Sequence, residues 1–213
     1  MAYTLLIVES PAKCGKIESY LGSGYKCIAS FGHIRELPGI KYIDIDNNFK
    51  PNFQLMDSKS QQINKMRTMI KNASEVLIAS DDDREGEAIG YHIVETFGLP
   101  LTTKRIIFHE ITKDAILKAV QQPTILNMDL VHAQQARQIL DVIVGYKISP
   151  TLWEHVSRNT KTGLSAGRCQ TPALRIVYDN QKDIDASPGK KVYNTTGYFT
   201  QMNLGFLLNH SFE

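Results

Sequence analysis

The sequence lacks the features that mark secreted, zinc-binding and membrane-spanning proteins. Its 213 residues include only three cysteines, Cys14, Cys27 and Cys169, which lie far apart and form no Cys-x-x-Cys pair, so neither a disulfide framework nor a zinc site is indicated. No apolar run approaches the ~20 residues of a membrane span, and the apolar stretch 3–8 follows no basic leader. The small net charge of +2 neither requires nor excludes nucleic acid. We therefore expect a globular intracellular protein with no membrane partner.

The first 123 residues alternate between short apolar runs and amphipathic patterns. The runs predict strands, and the patterns with helical spacing predict helices. Strands are predicted at 3–8, 26–31, 75–79 and 105–108, and helices at 12–21, 58–73, 86–97 and 112–120. This alternation predicts an α/β domain with a mainly parallel sheet flanked by helices. The stretch from residue 32 to about residue 53 fits neither pattern, and such long connections are often functional.

The character of the sequence changes after residue 123. Helices are predicted at 129–144, 152–156 and 167–185, with an interruption at Gly145-Tyr146 and Ser149-Pro150. Residues 190–209 alternate aromatic, Thr and Gly residues, which is typical of a β-hairpin. We expect three parts: an α/β domain at 1–123, a mostly helical second domain at 124–188, and a short β segment at 189–213.

An acidic run, Asp81-Asp82-Asp83-Arg84-Glu85, directly follows the predicted strand 75–79. In an extended segment Asp81, Asp83 and Glu85 would project to one side, because successive side chains point to opposite faces. Clustered carboxylates stay ionised only near positive charge, and a small set of hard oxygen ligands favours Mg²⁺. Arg84 could neutralise part of the charge. The alternative is a solvated acidic turn.

A second acid, Glu9, follows the first predicted strand in the same way that Asp81 follows the third. Ligand crevices of parallel sheets lie beyond the carboxyl ends of the strands. If the two strands are neighbours, Glu9 and Lys13 join the acidic run at one mouth, which a solvated turn does not explain. Titratable groups clustered at a cleft favour a functional site.

Six segments resemble, in the same order, the motifs of type IA DNA topoisomerases, whose metal-binding catalytic fold is called Toprim. They are 7–13 (IVESPAK), 32–38 (GHIRELP), 81–89 (DDDREGEAI), 108–112 (FHEIT), 133–137 (AQQAR) and 163–172 (GLSAGRCQTP). The resemblance covers residues 5 to about 185. It implies a Rossmann-like Toprim domain, a helical domain that binds single-stranded DNA, and the start of a β arch domain.

In that family a tyrosine attacks a DNA phosphodiester, forms a 5′-phosphotyrosine with a free 3′-OH, and later reverses the step after another strand has passed. The resemblance implies that Glu9 is the general acid/base at the 3′ oxygen and that Lys13 stabilises the phosphate. The implied Mg²⁺ ligands are Glu9, Asp81, Asp83 and Glu85. This chemistry is consistent, because a leaving alkoxide needs a proton donor and a transferring phosphoryl group needs cationic stabilisation.

The resemblance also implies a set of residues at or near the single-stranded DNA. Their arginine, hydroxyl, amide and aromatic groups suit a backbone groove with a few base contacts. They are His33, Arg84, Arg137, Gln138, Asp141, Tyr146, Trp153, Ser165, Ala166, Gly167, Arg168, Cys169 and Gln170. Structural alternatives exist for three of them: Trp153 as a buried anchor, Asp141 as a partner of Arg137 one helical turn away, and His33 as a structural histidine.

The sequence departs from the family pattern in three places. Gln138 stands where a second arginine is usual, which puts one phosphate contact in doubt, and Cys169 stands where an apolar residue is usual. The nucleophilic tyrosine of the family precedes Arg-Thr-Asp-Ser or a close variant, and none of the nine tyrosines has that context. We therefore expect an N-terminal fragment of a longer enzyme, which continues into arch and tyrosine-bearing domains and acts in the cytoplasm, nucleoid or another DNA-containing compartment.

Two other functions stay open at this point. A Toprim-type nuclease or primase would use the same acids to activate water or a nucleotide, although neither needs the 163–172 motif. A non-catalytic single-stranded DNA-binding module would use the acids only to structure a loop. Salt-sensitive DNA binding does not separate this module from the topoisomerase.

Overall fold

The computed structural model describes residues 3–157, 163–189, 193–199 and 204–210. The strands are β1 (Thr4–Val8), β2 (Tyr25–Ala29), β3 (Arg35–Glu36), β4 (Ile43–Asp44), β5 (Lys50–Pro51), β6 (Gln54–Leu55), β7 (Glu75–Ala79), β8 (Tyr193–Phe199) and β9 (Leu204–His210). The helices are α1 (Pro11–Leu21), α2 (Ser60–Asn72), α3 (Arg84–Phe97), α4 (Lys113–Gln121), α5 (Met128–His155) and α6 (Gln170–Ala186). Short 3₁₀ turns occupy Ile40–Tyr42 and Asp57–Lys59.

The centre of the fold is a parallel sheet in the order β2-β1-β7. Val8 pairs with Ala29 on one side and with Ala79 on the other, so the three strands end at the same level. This sheet confirms the predicted α/β architecture. It also meets the condition set by the sequence, because the strands that lead to Glu9 and Asp81 are neighbours.

The sheet is buried on both faces, since alternate residues of β1 enter different cores. Leu6 and Val8 pack with Ile17 of α1 and Ile116 of α4 on one face. On the other face Leu5 and Ile7 pack with residues of α2 and α3, among them Met66 and Ile93. A continuous apolar strand is what burial on both faces requires.

The predicted strand at 105–108 is wrong. The chain beside β7 forms one parallel bridge, between Ile78 and Arg105, and Arg105 forms one antiparallel bridge with Thr124. The backbone of Arg105 bonds to Thr124, whereas Ile78 bonds to the flanking Lys104 and Ile106, and the pairing with β7 does not continue. A short apolar run predicts an extended, buried segment, but it does not predict how many residues will pair.

The stretch that follows β2 folds into short antiparallel pairs, β3 with β6 and β4 with β5. Leu37, Ile43 and Phe53 form a small core here, against which Ile139 and Ile143 of α5 pack. Although the stretch has little regular structure, it therefore packs against one face of α5.

Helix α5 is continuous over 28 residues, which corrects the predicted interruption at 145–150. At 1.5 Å per residue it is about 42 Å long. Pro150 lacks an N–H and so removes one helical hydrogen bond, to the carbonyl four residues earlier. The helix continues because contacts support both sides of this position: the Ser149 hydroxyl accepts from the Ala166 N–H at 3.1 Å, and the Trp153 indole donates to the Leu164 carbonyl.

The chain divides into two compact units, Met1–Gly167 and Arg168–Glu213. In the second unit α6 agrees with the helix predicted at 167–185, and β8 pairs with β9 in the antiparallel sense, which confirms the predicted hairpin. The expected domain limits 1–123, 124–188 and 189–213 stay a prediction. In the described parts of the chain, no helix is both long and apolar enough to cross a membrane.

Candidate active site and nucleic-acid interface

The candidate active site lies at the carboxyl ends of the parallel strands. Glu9 follows β1 immediately, and Asp81 comes two residues after β7, its neighbour in the sheet. The Phe31 N–H, beyond the end of β2, donates to the Glu9 carbonyl at 2.9 Å. Three adjacent strand ends thus bring together residues that are 22 to about 70 positions apart in sequence, as the position of ligand crevices in parallel sheets predicts.

The acidic run is not extended throughout, so the expectation of three carboxylates on one side is wrong. Helix α3 begins at Arg84, and the Asp83 Oδ1 atom caps it by accepting from the Gly86 N–H at 2.7 Å. Glu85 therefore lies in the first helical turn. Gly86 is required here, because a Cβ atom at this position would lie 2.0 Å from the Asp81 carbonyl oxygen.

Lys13 and Asp81 form an ion pair across the mouth of the site. Lys13 lies on α1, so the first turn of this helix carries positive charge to the acids that follow β7. Burial raises the pKa of Glu9 above its ordinary value, and the charges of Asp81 and Asp83 raise it further, while Lys13 and His33 oppose the shift. Glu9 is therefore protonated more readily than an exposed glutamate.

The Glu85 carboxylate contacts two side chains from other parts of the fold, His33 and Gln134. Its Oε2 atom lies 3.2 Å from His33 Nε2 and accepts from the Gln134 side-chain amide at 3.1 Å. Gln134 is buried on α5, so this carboxylate connects the acidic turn to the long helix. His33 therefore lies beside the acidic turn, where its contact with Glu85 gives it a structural role. Its part in DNA binding stays a prediction.

Beneath His33 a second histidine, His92 of α3, is fully buried. Its ring packs against Phe53 with centroids 4.7 Å apart and against His33 at 5.7 Å. Neither ring nitrogen has a hydrogen-bond partner among the described residues. Burial lowers the pKa of His92 to about 3, and the positive charges of His33 and Arg35 add to the effect. His92 is therefore neutral in the folded protein.

A buried ion pair lies directly below the acidic turn. Arg105 is fully buried, donates from Nη2 to the Asp81 carbonyl at 2.8 Å, and lies 3.4 Å from Glu87 Oε1. The second oxygen of Glu87 accepts from the Asn127 N–H at 3.2 Å, at the start of α5. Burial raises the pKa of Glu87, and the charge of Arg105 opposes this. The pair fixes the backbone that presents Asp81.

A cleft of about 390 Å³ opens beside the acids. One wall is formed by Lys13 and residues 81–83, and the other by residues 108–111. His109 Nε2 lies 3.8 Å from Asp82 Oδ2, so the two walls approach each other at the rim.

Within the described residues, no three His, Cys, Asp or Glu side chains lie close enough together to hold a metal ion. Asp81 is paired with Lys13, and one oxygen of Asp83 caps α3. The donor set nevertheless has the chemistry of a magnesium site, because Glu9, Asp81 and Asp83 offer hard oxygens and influence each other electrostatically. The predicted metal ligands fit Mg²⁺ by type and charge, and they stay a prediction.

Most of the predicted DNA-binding residues of the first unit lie along α5 and the segment that follows it, whereas Arg84 begins α3 and His33 follows β2. Tyr146 and Trp153 are about half exposed, and the Tyr146 hydroxyl lies 3.5 Å from the Pro38 carbonyl oxygen. The indole of Trp153 anchors the segment through Leu164, so the structural role is present while part of the ring stays accessible. The other predicted residues of this unit are partly buried (Arg137, Gln138, Asp141, Ala166 and Gly167) or exposed (Arg84 and Ser165).

Three predicted DNA-binding residues lie in the second unit. Arg168 and Cys169 precede α6, and Gln170 is its first residue. All three are exposed. Their part in a DNA groove stays a prediction.

Sequence reasoning missed Arg105, Glu87 and Gln134. Glu87 and Gln134 stand inside two of the quoted motifs, but spacing alone gave them no role. Arg105 stood in a predicted strand, where a lone arginine bordering an apolar run was the available signal: a charged residue is almost never fully buried unless it is paired.

Two family models match different parts of the chain. The family model for the Toprim domain matches residues 4–111, about half of the chain, and that for DNA topoisomerase matches residues 125–207. The structure of full-length topoisomerase I from Thermotoga maritima is similar over 98% of this chain, with 40% sequence identity and a TM-score of 0.75. The chain spans 36% of the length of that topoisomerase. On these matches, and with acids at the ends of neighbouring parallel strands, the chain belongs to the type IA DNA topoisomerase family.

Proposed function

We propose that this chain is the N-terminal part of an enzyme that changes DNA topology by transient cleavage of one strand, with Mg²⁺ as cofactor. Its partner is a single-stranded segment of duplex DNA, and its place is a DNA-containing compartment. The observation that carries the proposal is the convergence of Glu9, Lys13 and the 81–83 turn at the open end of the sheet. The nucleophilic tyrosine and the arch belong to a covalent continuation of the chain.

Glu9 is the general acid and base at the 3′ oxygen. When the tyrosine oxygen bonds to phosphorus and gives up its own proton to solvent, the P–O3′ bond breaks and the leaving 3′ oxygen takes the proton of the Glu9 carboxyl. Religation reverses both transfers: the 3′ hydroxyl returns its proton to the Glu9 carboxylate as it attacks phosphorus, and the released tyrosine regains a proton from solvent. The raised pKa of Glu9 supports this role, because it increases the protonated fraction near neutral pH relative to an exposed glutamate.

Lys13 stabilises the phosphate. Its ammonium group lies at the acids, in ion contact with Asp81, and so can approach a phosphoryl oxygen that enters the cleft. A fixed positive charge beside a transferring phosphoryl group lowers the barrier, since negative charge is spread over the phosphoryl oxygens in the transition state.

Glu9, Asp81 and Asp83 would hold the metal, and Glu85 would support them through His33 and Gln134. When bound, Mg²⁺ supplies positive charge at the phosphate. Arg105 keeps the Asp81 backbone in place from below.

The single-stranded segment binds along the exposed side chains of α5 and the segment 163–167. Tyr146 and Trp153 offer aromatic faces for stacking. The hydrogen bonds of Trp153 and Ser149 to the segment 163–167 hold that segment against the helix. Arg84 and Arg137 supply charge for phosphates.

The test is relaxation of negatively supercoiled DNA by a chain that continues through its nucleophilic tyrosine, assayed in Mg²⁺. Glu9→Gln, which cannot donate the proton, should lower the rate by about 10²- to 10⁴-fold. Glu75→Gln is the matched control at the opposite end of the sheet and should leave the rate unchanged. A longer chain with an intact tyrosine that fails to relax DNA would refute the proposal.

Binding and cleavage assays of the 213-residue chain distinguish this function from that of a nuclease. The chain should bind single-stranded DNA more weakly as salt rises, and it should not cut it. Cleavage by this chain that disappears in Asp81→Asn would instead identify a Toprim nuclease.

A further inference from the structure

Phe31 is an exposed aromatic residue whose backbone is hydrogen-bonded to that of Glu9. Phe31 comes two residues after β2, at the same open end of the sheet as the acids, and half of its surface is exposed. Its N–H donates to the Glu9 carbonyl at 2.9 Å. The backbone of Phe31 and the backbone of the proposed acid are thus directly joined.

The backbone of Phe31 adopts a conformation that is unfavourable for its side chain. Its φ is 59°, in the left-handed region, and the following residue, Gly32, has φ 85°. A bulky side chain in this region is an outlier, because Cβ crowds the backbone carbonyl, whereas glycine adopts it without strain. Such outliers are concentrated at functional sites.

Lys59 bonds to the backbone of Phe31 and places a positive charge near the ring. Its ammonium nitrogen donates to the Phe31 carbonyl at 2.7 Å and lies 5.7 Å from the centroid of the ring. The Gln62 side chain donates to the carbonyl of Ala29, so the turn after β2 is fastened to the start of α2 at two points. An aromatic ring and an ammonium group therefore lie close together on the turn whose backbone is bonded to that of Glu9.

We propose that Phe31 is a stacking platform for the nucleobase next to the scissile phosphate, and that Lys59 contacts the backbone phosphate of the same nucleotide. The chemistry fits a nucleotide of single-stranded DNA, because every base has a face that stacks on an aromatic ring and every phosphate attracts an ammonium group. The inference deepens the proposed function and rests on it.

Binding of a fluorescein-labelled single-stranded oligonucleotide, measured by anisotropy at fixed salt, tests the platform. Phe31→Gly should weaken binding by about 5- to 150-fold, the loss of one stacked base. Glycine suits the backbone, so the thermal midpoint should not fall. Phe31→Trp should keep the affinity, and Phe31→Leu, which retains an apolar side chain without an aromatic face, should lose it.

Phe49 provides a matched control. It has φ 57°, is 46% exposed, and lies in the turn between β4 and β5 rather than at the strand ends. Phe49→Gly removes the same ring from the same backbone conformation and should leave DNA affinity unchanged.

The outcomes separate the platform from the function on which it rests. The platform is refuted, while the proposed function stands, if Phe31→Gly binds the oligonucleotide as well as wild type. The same conclusion follows if Phe49→Gly loses as much affinity as Phe31→Gly. If wild type shows no salt-sensitive binding, both fall. An oligonucleotide with 5-iododeoxyuridine should photocrosslink to Phe31, and crosslinks confined to other aromatic residues would also overturn the platform.

Discussion

Replacement of Arg105 by methionine should destabilise the protein by about 3–5 kcal/mol, the cost of breaking a buried ion pair by removing one partner. Arg105 is fully buried, and Glu87 is 3% exposed. The change leaves the Glu87 carboxylate without its cation at 3.4 Å and removes the hydrogen bond of 2.8 Å to the Asp81 carbonyl. Of the total, the charged hydrogen bond accounts for about 1.5–3 kcal/mol.

The double variant Glu87→Gln/Arg105→Met tests whether the loss comes from the uncompensated charge. It should be more stable than the sum of the single changes predicts, by about 1–3 kcal/mol, because residues in contact couple by amounts of this order. Urea denaturation followed by circular dichroism at pH 7 measures all four proteins of the cycle.

The pH dependence adds a second check. Without Arg105 the folded-state pKa of Glu87, already raised by burial, rises further above the ordinary value for the unfolded chain. The unfolded chain then releases the proton at lower pH than the folded protein, so the cost of Arg105→Met should grow as pH rises above about 4.5. A cost below about 1 kcal/mol, additive with Glu87→Gln and independent of pH, would refute the reasoning.

Three further changes have defined outcomes. Wild type should lose stability as pH falls from about 6.5 toward 3, since the unfolded chain protonates His92 whereas the folded protein, with a His92 pKa of about 3, does not. In urea denaturation at pH 4.5, His92→Leu should lose less of its free energy of unfolding than wild type does. An equal loss would contradict a neutral, buried His92. Gly86→Ala should cost about 1–3 kcal/mol or more, because its Cβ would lie 2.0 Å from the Asp81 carbonyl, and an unchanged midpoint would contradict the close approach. Gly39→Ala places a Cβ 2.6 Å from the Tyr146 hydroxyl; Tyr146→Phe should recover part of its cost in thermal melts, and no recovery would locate the strain elsewhere.

The sheet and its helices could be predicted because their periodicity is local. Strand β7 at 75–79 and helix α1 follow from apolar patterning, a proline at the first helical position and a closing glycine. To predict that Glu9 and Asp81 lie close together, one further rule was needed: acids that follow neighbouring parallel strands lie at the same edge of the sheet.

The remaining features depend on contacts that no local pattern records. Gly145 and Pro150 give the signals of a helix end, yet α5 continues because a distant segment binds Ser149 and Trp153. The sequence of the acidic run predicts an extended segment, but in the structure its own Asp83 caps α3. Arg105 is buried because its segment packs between β7 and the segment at Thr124.

Magnesium titration of the 213-residue chain, followed by NMR of the carboxylate side chains, tests most directly whether Glu9, Asp81 and Asp83 form one metal site. We predict saturable shifts at all three and a loss of affinity of at least about tenfold in Asp81→Asn. Asp183→Asn, the same change at an exposed position of α6, should have no effect. Shifts that do not saturate, or equal affinity in Asp81→Asn, would contradict a magnesium site at the ends of the strands.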